Sequence, residues 1–149
     1  MQYYYIITTG ILFWFSVHFS MGQTLLSSKV PEKVKLAQSS QYGKSTVIWQ
    51  MLGDLYLADF RINHKRNIAY WTSEGLWHHT QSPAPLENAP IPLRMKVFAD
   101  FPQLTHCYLY YLTSPQDTGW KTEINYIYMG KEKDTVLRFN NSGALIPVK

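Results

Sequence analysis

The chain has 149 residues, of which 46% are hydrophobic, 15% aromatic and 16% charged, and its formal net charge is +4 at pH 7. This length allows one domain with a modest core, and the composition excludes a disordered tail and a coiled coil. The basic residues are scattered along the sequence rather than clustered, which argues against a nucleic-acid-binding protein. Cys107 is the single cysteine, so an internal disulfide is excluded and core packing alone must stabilise the fold.

Residues 1–22 have the pattern of a secretory signal peptide. An apolar run from Ile6 to Phe19 is followed by Ser20-Met21-Gly22, which places small residues three and one positions before a cleavage site. The first five residues contain no Lys or Arg, which departs from the usual pattern. A transmembrane anchor is disfavoured because the run is shorter than about 20 residues and is interrupted by polar residues. We therefore predict cleavage between Gly22 and Gln23, giving a periplasmic or secreted chain of residues 23–149 with no stable membrane anchor.

After this leader, the same series of elements occurs twice, at about 28–82 and 86–148. Each unit begins with a hydrophobic residue, a proline and a short helical pattern, at 30–37 and at 91–98. Proline suits the first turn of a helix, where no backbone donor is needed. Residues 81–85 form a short linker that is stiffened by prolines. We therefore expect the two units to pack as one domain.

Four strands follow each predicted helix. The first is apolar and aromatic, at 45–52 and 105–112, and the second alternates strictly between apolar and polar residues. This alternation indicates a sheet with one buried face, which carries Tyr56, Phe60 and Tyr126. A third strand ends in an aromatic residue, and a tight turn containing glycine leads to a short closing strand. The sequence thus predicts an α+β fold in which two repeated α-β-β-β-β units form one antiparallel sheet with short helices on one face.

This ordered series resembles the PepSY-like family, which is also described as similar to the β-lactamase-inhibitor protein. Beyond the hydrophobic-proline helix, the resemblance rests on a Trp-bearing strand and on an aromatic residue followed four positions later by a turn glycine: Trp49, Trp71 with Gly75, and Phe139 with Gly143. The second unit has the family's aromatic-proline step at Phe101-Pro102, but the first unit has Ser40-Gln41 there, and Tyr110 replaces the Trp in the second unit. The resemblance implies an exported binding or inhibitory protein rather than a catalyst.

Three groups of residues invite a chemical role. His78 and His79 could be a metal pair, but neighbours on a strand point to opposite faces, and zinc needs three or four ligands. Cys107 lies in a core-like strand, where a buried and unreactive thiol is the usual case. Asp59 and Glu123 could be an acid–base pair, yet basic neighbours on the same strands indicate salt bridges. We therefore expect a protein that is not an enzyme, with no catalytic residue, no bound metal and no cofactor.

The helices cover only one face of the predicted sheet, so the other face meets solvent or a partner. Alternation places apolar, aromatic and charged residues there, a composition typical of protein-binding surfaces. The candidate binding residues are Asp59, Arg61, Tyr70, Lys121, Glu123 and Arg138. The favoured interpretation is an exported, non-catalytic binding protein that holds a protein or peptide on this face, with inhibition as one form of its action. The alternatives are a hydrolase with a cleft between the units and an envelope-associated structural module, while the partner and the oligomeric state stay open.

Overall fold

The computed structural model of the protein describes residues 23–147. The predicted signal peptide therefore lies outside the described residues, and so does the last position of the second predicted unit, Val148. Within residues 23–147, neither helix has the length and apolar character that crossing a membrane requires.

The strands described here form one antiparallel sheet, in which they follow one another in sequence order. The nine strands are β1 (Gln23–Leu25), β2 (Ile48–Leu52), β3 (Leu55–Ile62), β4 (Lys65–Trp71), β5 (Trp77–Ala84), β6 (Leu104–Thr113), β7 (Thr118–Tyr128), β8 (Lys131–Asn140) and β9 (Leu145–Ile146). Two helices, each preceded by a single 3₁₀ turn, complete the described part of the chain: α1 (Glu32–Tyr42) and α2 (Ile91–Asp100). This architecture confirms the predicted α+β class, with α1 leading into β2–β5 and α2 leading into β6–β9.

Three features of this architecture differ from the sequence-based expectation. Helix α1 continues to Tyr42 and ends at Gly43, whose φ of 76° is a conformation that glycine adopts at no steric cost. Strand β1 was not predicted, and it pairs with β2 in the register Gln23↔Met51. The predicted linker at 81–85 is wrong, because β5 continues to Ala84 and pairs with β6 from Thr80↔Thr113 onwards. The two halves are thus joined by a strand ladder.

The apolar core consists of two clusters of buried residues, one containing residues of α1 and the other residues of α2. The first cluster contains Val30, Val34, Trp49, Ala58, Phe60, Ala69 and Trp71. The second contains Ala89, Leu93, Val97, Leu109, Trp120, Ile124 and Phe139. Trp71 and Phe139 are each 1% exposed, which confirms that they are equivalent core positions. Both clusters lie on the side of the sheet that the helices cover, and no helix of residues 23–147 covers the opposite side.

The two glycine turns repeat each other in atomic detail. In the first, the amide of Gly75 donates to the carbonyl of Thr72 over 3.0 Å, and in the second Gly143 donates to Asn140 over 3.0 Å. Both glycines have positive φ, and an added Cβ would lie 2.9 Å from the carbonyl oxygen of Lys33 at Gly75. At Gly143 it would lie 2.8 Å from the Cβ of Pro90. Each turn therefore packs against the start of the helix of its own unit, which explains why glycine follows the core aromatic by four residues.

Candidate binding face

The sheet face opposite the helices carries a continuous band of polar and aromatic side chains, and we call it the outer face. Its side chains alternate along β3 to β8 with residues that face the helices. They include Leu57, Asp59, Arg61, Ile68, Tyr70, His79, Gln81, Tyr110, Lys121, Glu123 and Arg138. The register places Tyr70 opposite His79, and Lys121 lies between Tyr110 and Arg138. Side chains opposite each other on one face of a sheet are close enough to interact.

A chain of hydrogen bonds centred on Gln81 links three strands of the outer face, β4, β5 and β7. Lys121 Nζ donates to Gln81 Oε1 over 3.4 Å, and Gln81 Nε2 donates to the Tyr70 hydroxyl over 3.0 Å. The same Nε2 lies 3.3 Å from His79 Nε2, and the His79 ring stacks on Tyr70 with centroids 4.0 Å apart. Lys121 also pairs with Glu123 over 2.6 Å and lies 5.5 Å from the centre of the Tyr110 ring. Non-covalent contacts between side chains therefore hold the centre of the outer face in place.

Tyr70 lies on the predicted face but is buried, with only 8% of its surface exposed. His79 covers the ring and Gln81 donates to the hydroxyl, so little of the Tyr70 side chain is accessible at this face. Burial, with Glu123 and Tyr110 nearby, raises the pKa of Tyr70, and the phenol stays protonated. Because Tyr70 is buried and hydrogen-bonded, its side chain contributes to the packing of the sheet.

Asp59 and Arg61 do not form an ion pair with each other. Arg66 binds Asp59 instead, with Nε 3.0 Å from Oδ2 and Nη2 2.7 Å from the same oxygen. The hydrogen bonds that Arg66 donates to Asp59, together with the negative charge of Asp59, raise the pKa of Arg66. Arg61 lies opposite Arg66 at the end of β3 and forms no ion pair with the other described residues. Among the predicted residues, the structure brings Tyr70, Lys121, Glu123 and Arg138 together around Gln81, with Asp59 beside them and Arg61 at the margin.

His78 and His79 lie together, contrary to the expectation that neighbours on a strand point apart. The register shifts between Tyr70 and Trp71, which pair with His79 and Trp77, so His78 is an extra residue without a partner on β4. Such a β-bulge redirects side chains, and here the two Nδ1 atoms lie 2.7 Å apart. The second unit has no extra residue at the equivalent place, where Arg138 pairs with Ile146 and Phe139 with Leu145. Neither glycine nor proline marks this bulge in the sequence, so sequence reasoning missed His79 and Gln81 as site residues.

Among the residues that the structure describes, the two imidazoles have no third ligand that would complete a metal site. Within residues 23–147, no group of three His, Cys, Asp or Glu side chains could hold a metal ion. Because Gln81 Nε2 is a donor, His79 Nε2 accepts, which places the His79 proton on Nδ1, where it donates to His78. Burial, followed by the charges of His78, Arg138 and Lys121, lowers the pKa of His79 to about 4. His79 is therefore neutral at pH 7.

Gln81 lines two of the cavities on the outer face. The first has a volume of about 490 Å³, and we call it the basic groove because its lining includes His78, His79, Lys121 and Arg138. The second has a volume of about 380 Å³, and its lining includes Ile68 and Pro83 together with two aromatic residues, Tyr108 and Tyr110. We call it the aromatic groove after the two tyrosines. Since His79, Gln81 and Pro83 alternate along β5, the two grooves lie on either side of Gln81.

The residues considered for catalysis have other surroundings. Asp59 is held by Arg66, and Glu123 by Lys121, so neither carboxylate faces the other as an acid–base pair. Cys107 is half-buried, and burial raises the pKa of its thiol, which disfavours the nucleophilic thiolate.

No protein-family model matches the sequence, and no curated protein matches it either. Solved structures do match. A DUF2874 family protein from Bacteroides uniformis superposes with a TM-score of 0.65 at 16% identity, covering 78% of this chain and 86% of that chain. The chain shares the fold of these proteins. A protein from Bacteroides eggerthii that is proposed to be periplasmic gives 0.65 at 17% identity, covering 79% of this chain and 86% of that one. A BLIP-like protein from Bacteroides fragilis gives 0.59 at 19% identity, covering 80% and 85%.

Proposed function

We propose that this chain is an exported, non-catalytic binding protein that holds a protein or peptide on its outer face, with inhibition of the partner as one form of its action. The observation that carries the proposal is the pair of grooves on either side of Gln81, one basic and one aromatic, on the face without helices. Tyr and Arg dominate the energetics of many protein interfaces, and both residue types line these grooves.

The rigidity of the outer face supports this proposal. The hydrogen bonds from Lys121 through Gln81 to Tyr70 fix side chains that would otherwise lose rotamer freedom on binding. A surface ordered in advance binds with a smaller entropic cost. The bidentate pair of Asp59 and Arg66 orders the neighbouring part of the face in the same way.

Export and the absence of catalysis rest on separate observations. The pattern of residues 1–22 predicts a leader, and one of the structural neighbours is described as a proposed periplasmic protein. The name of the Bacteroides fragilis neighbour, a BLIP-like protein, is in keeping with binding to another protein. The engagement of Asp59 and Glu123 in ion pairs favours binding over acid–base chemistry.

Selection of random peptides displayed on phage against the purified protein tests the proposal. Tyr108 in the aromatic groove is 53% exposed, and Phe98 on α2 is 54% exposed, so the two aromatic residues form a matched pair on opposite sides of the molecule. We expect selected peptides to bind Tyr108→Ala about tenfold more weakly, as for other interface aromatics. Binding to Phe98→Ala should equal binding to the unmodified protein. The outer face is not the binding site if the peptides bind Phe98→Ala more weakly, or if they bind both variants as tightly as the unmodified protein.

A further inference from the structure

The basic groove contains a cation, Arg138, that no carboxylate of the described residues pairs with. Lys121 and Arg138 are opposite each other on β7 and β8, and both line the groove with His78 and His79. No Asp or Glu of the described residues is part of that lining. Glu123 lies two residues after Lys121 on the same face of β7 and neutralises its charge. Arg138, in contrast, is exposed and forms no ion pair with the described residues.

This arrangement is unfavourable in the absence of a ligand. Like charges directly opposite each other on a sheet face are destabilising. The charges of Arg138 and Lys121 also act on His79 and oppose its protonation. An anion in the groove relieves both effects, because it attracts the guanidinium and the ammonium and favours a proton on the imidazole.

The shape of the groove suits one acidic group of a larger ligand. Its volume of about 490 Å³ is within the range of small-molecule sites, and the β6–β7 turn forms one wall through Ser114 and Gln116. The guanidinium of Arg138 offers the planar pair of donors that binds a carboxylate in bidentate fashion. The tautomer of the histidine pair leaves the proton of His78 on Nε2, which adds a donor next to this cation.

We propose that the basic groove binds a carboxylate of the partner protein or peptide, with Arg138 as the main ligand and His78, His79 and Lys121 as its surroundings. This inference rests on the proposed function, because it assigns one chemical group of the partner to one of the two grooves. The partner is therefore an acidic peptide segment, and the carboxylate belongs either to an Asp or Glu side chain or to a chain terminus.

Titrations followed by NMR of the arginine and histidine side chains test this assignment. The probes are N-acetyl-tetraglutamate amide, the matched N-acetyl-tetraglutamine amide, and N-acetyl-tetraglutamine with a free C-terminus. We expect saturable shifts at Arg138 and His79 with the glutamate peptide or with the free terminus, and none with the neutral amide. The peptide that binds more tightly shows whether a side chain or a terminus is the source of the carboxylate.

Two variants of equal charge change provide the control. Arg138→Gln removes the proposed ligand, and Lys133→Gln removes an exposed cation five positions earlier on the same strand, whose side chain alternates to the other face. We expect Arg138→Gln to weaken binding about tenfold or more, as for a charged hydrogen bond, and Lys133→Gln to leave it unchanged. Equal losses in both variants mean non-specific attraction and overturn the proposal, as does equal binding of the neutral amide.

The result is also separable from the fate of the proposed function. If phage-selected peptides depend on Tyr108 but are neutral and insensitive to Arg138→Gln, the carboxylate assignment fails while the outer face keeps its role. If the glutamate peptide binds through Arg138 while the phage-selected peptides do not depend on Tyr108, the groove is an anion site and the wider function fails.

Discussion

Trp71 tests how the sheet and α1 are held together. Its side chain is 1% exposed, packs with Val34 and Phe60, and donates from Nε1 to Oε1 of Gln38 over 2.9 Å. Replacement by Ala removes a packed ring, which costs about 3–5 kcal/mol, and leaves the buried amide of Gln38 without this donor, which costs about 1 kcal/mol more. We expect Trp71→Ala to lower the free energy of unfolding by about 4–6 kcal/mol, a large part of the total stability of a typical domain.

Urea denaturation followed by circular dichroism measures this loss and its reach across the molecule. Because β5 and β6 join the two halves through five residue pairs, we expect one transition in the unmodified protein. Phe139→Ala in the second cluster should lower the midpoint of that same transition, and Trp71→Phe should lose only about 1–2 kcal/mol, since most of the ring volume remains. Cooperative folding is refuted if two separate transitions are seen and each responds to only one of the variants Trp71→Ala and Phe139→Ala. The packing argument is refuted if Trp71→Ala lowers the free energy of unfolding by less than about 1 kcal/mol.

Three further predictions concern the outer face, the turns and the leader. The lowered pKa of His79 means that, as the pH falls, the unfolded chain takes up a proton at this residue before the folded protein does. The free energy of unfolding should therefore fall by about 1–2 kcal/mol as the pH drops from 6.5 to 4, a figure reduced for solvent screening. In His79→Gln the free energy of unfolding should depend less steeply on pH across this range, and an unchanged pH dependence contradicts the assignment. Gly143→Ala should destabilise by about 1–3 kcal/mol more than Gly130→Ala, because both have positive φ but only the first new Cβ meets other atoms, and equal melting temperatures count against this contact. Mass analysis of the exported protein should give Gln23 as its first residue, and an intact Met1 contradicts cleavage.

The faces of the strands could be predicted because alternation is a local property of the sequence. Ala58 and Phe60 are buried under α1, whereas Asp59 between them lies on the outer face, as the period of two requires. The repeated glycine turn could also be predicted, since a positive φ restricts the residue type. Strand β1 could not, because three residues carry little pattern and their pairing depends on the edge of β2.

The details of the candidate site depend on register, which single-strand patterns do not contain. Asp59 pairs with Arg66 because the antiparallel register brings Arg66 to a diagonal position on β4, closer than a pattern along β3 alone suggests. The burial of Tyr70 depends on a ring from the next strand, and that ring is in place because a bulge at His78 shifts the pairing. A residue on the neighbouring strand thus decides how much of a side chain is exposed.

The ends of the sheet determine where another polypeptide can bind. At one edge of the sheet, β1 has only three residues. At the other edge, β9 pairs only with Arg138 and Phe139, so residues 131–137 of β8 form a longer edge with free backbone groups. Short edge strands protect β-sheet proteins from pairing with further chains through their backbones, which is a common route to aggregation. The longer edge on β8 is instead protected by its charge, because it begins Lys131-Glu132-Lys133-Asp134 and charged side chains on an edge strand oppose pairing with further chains.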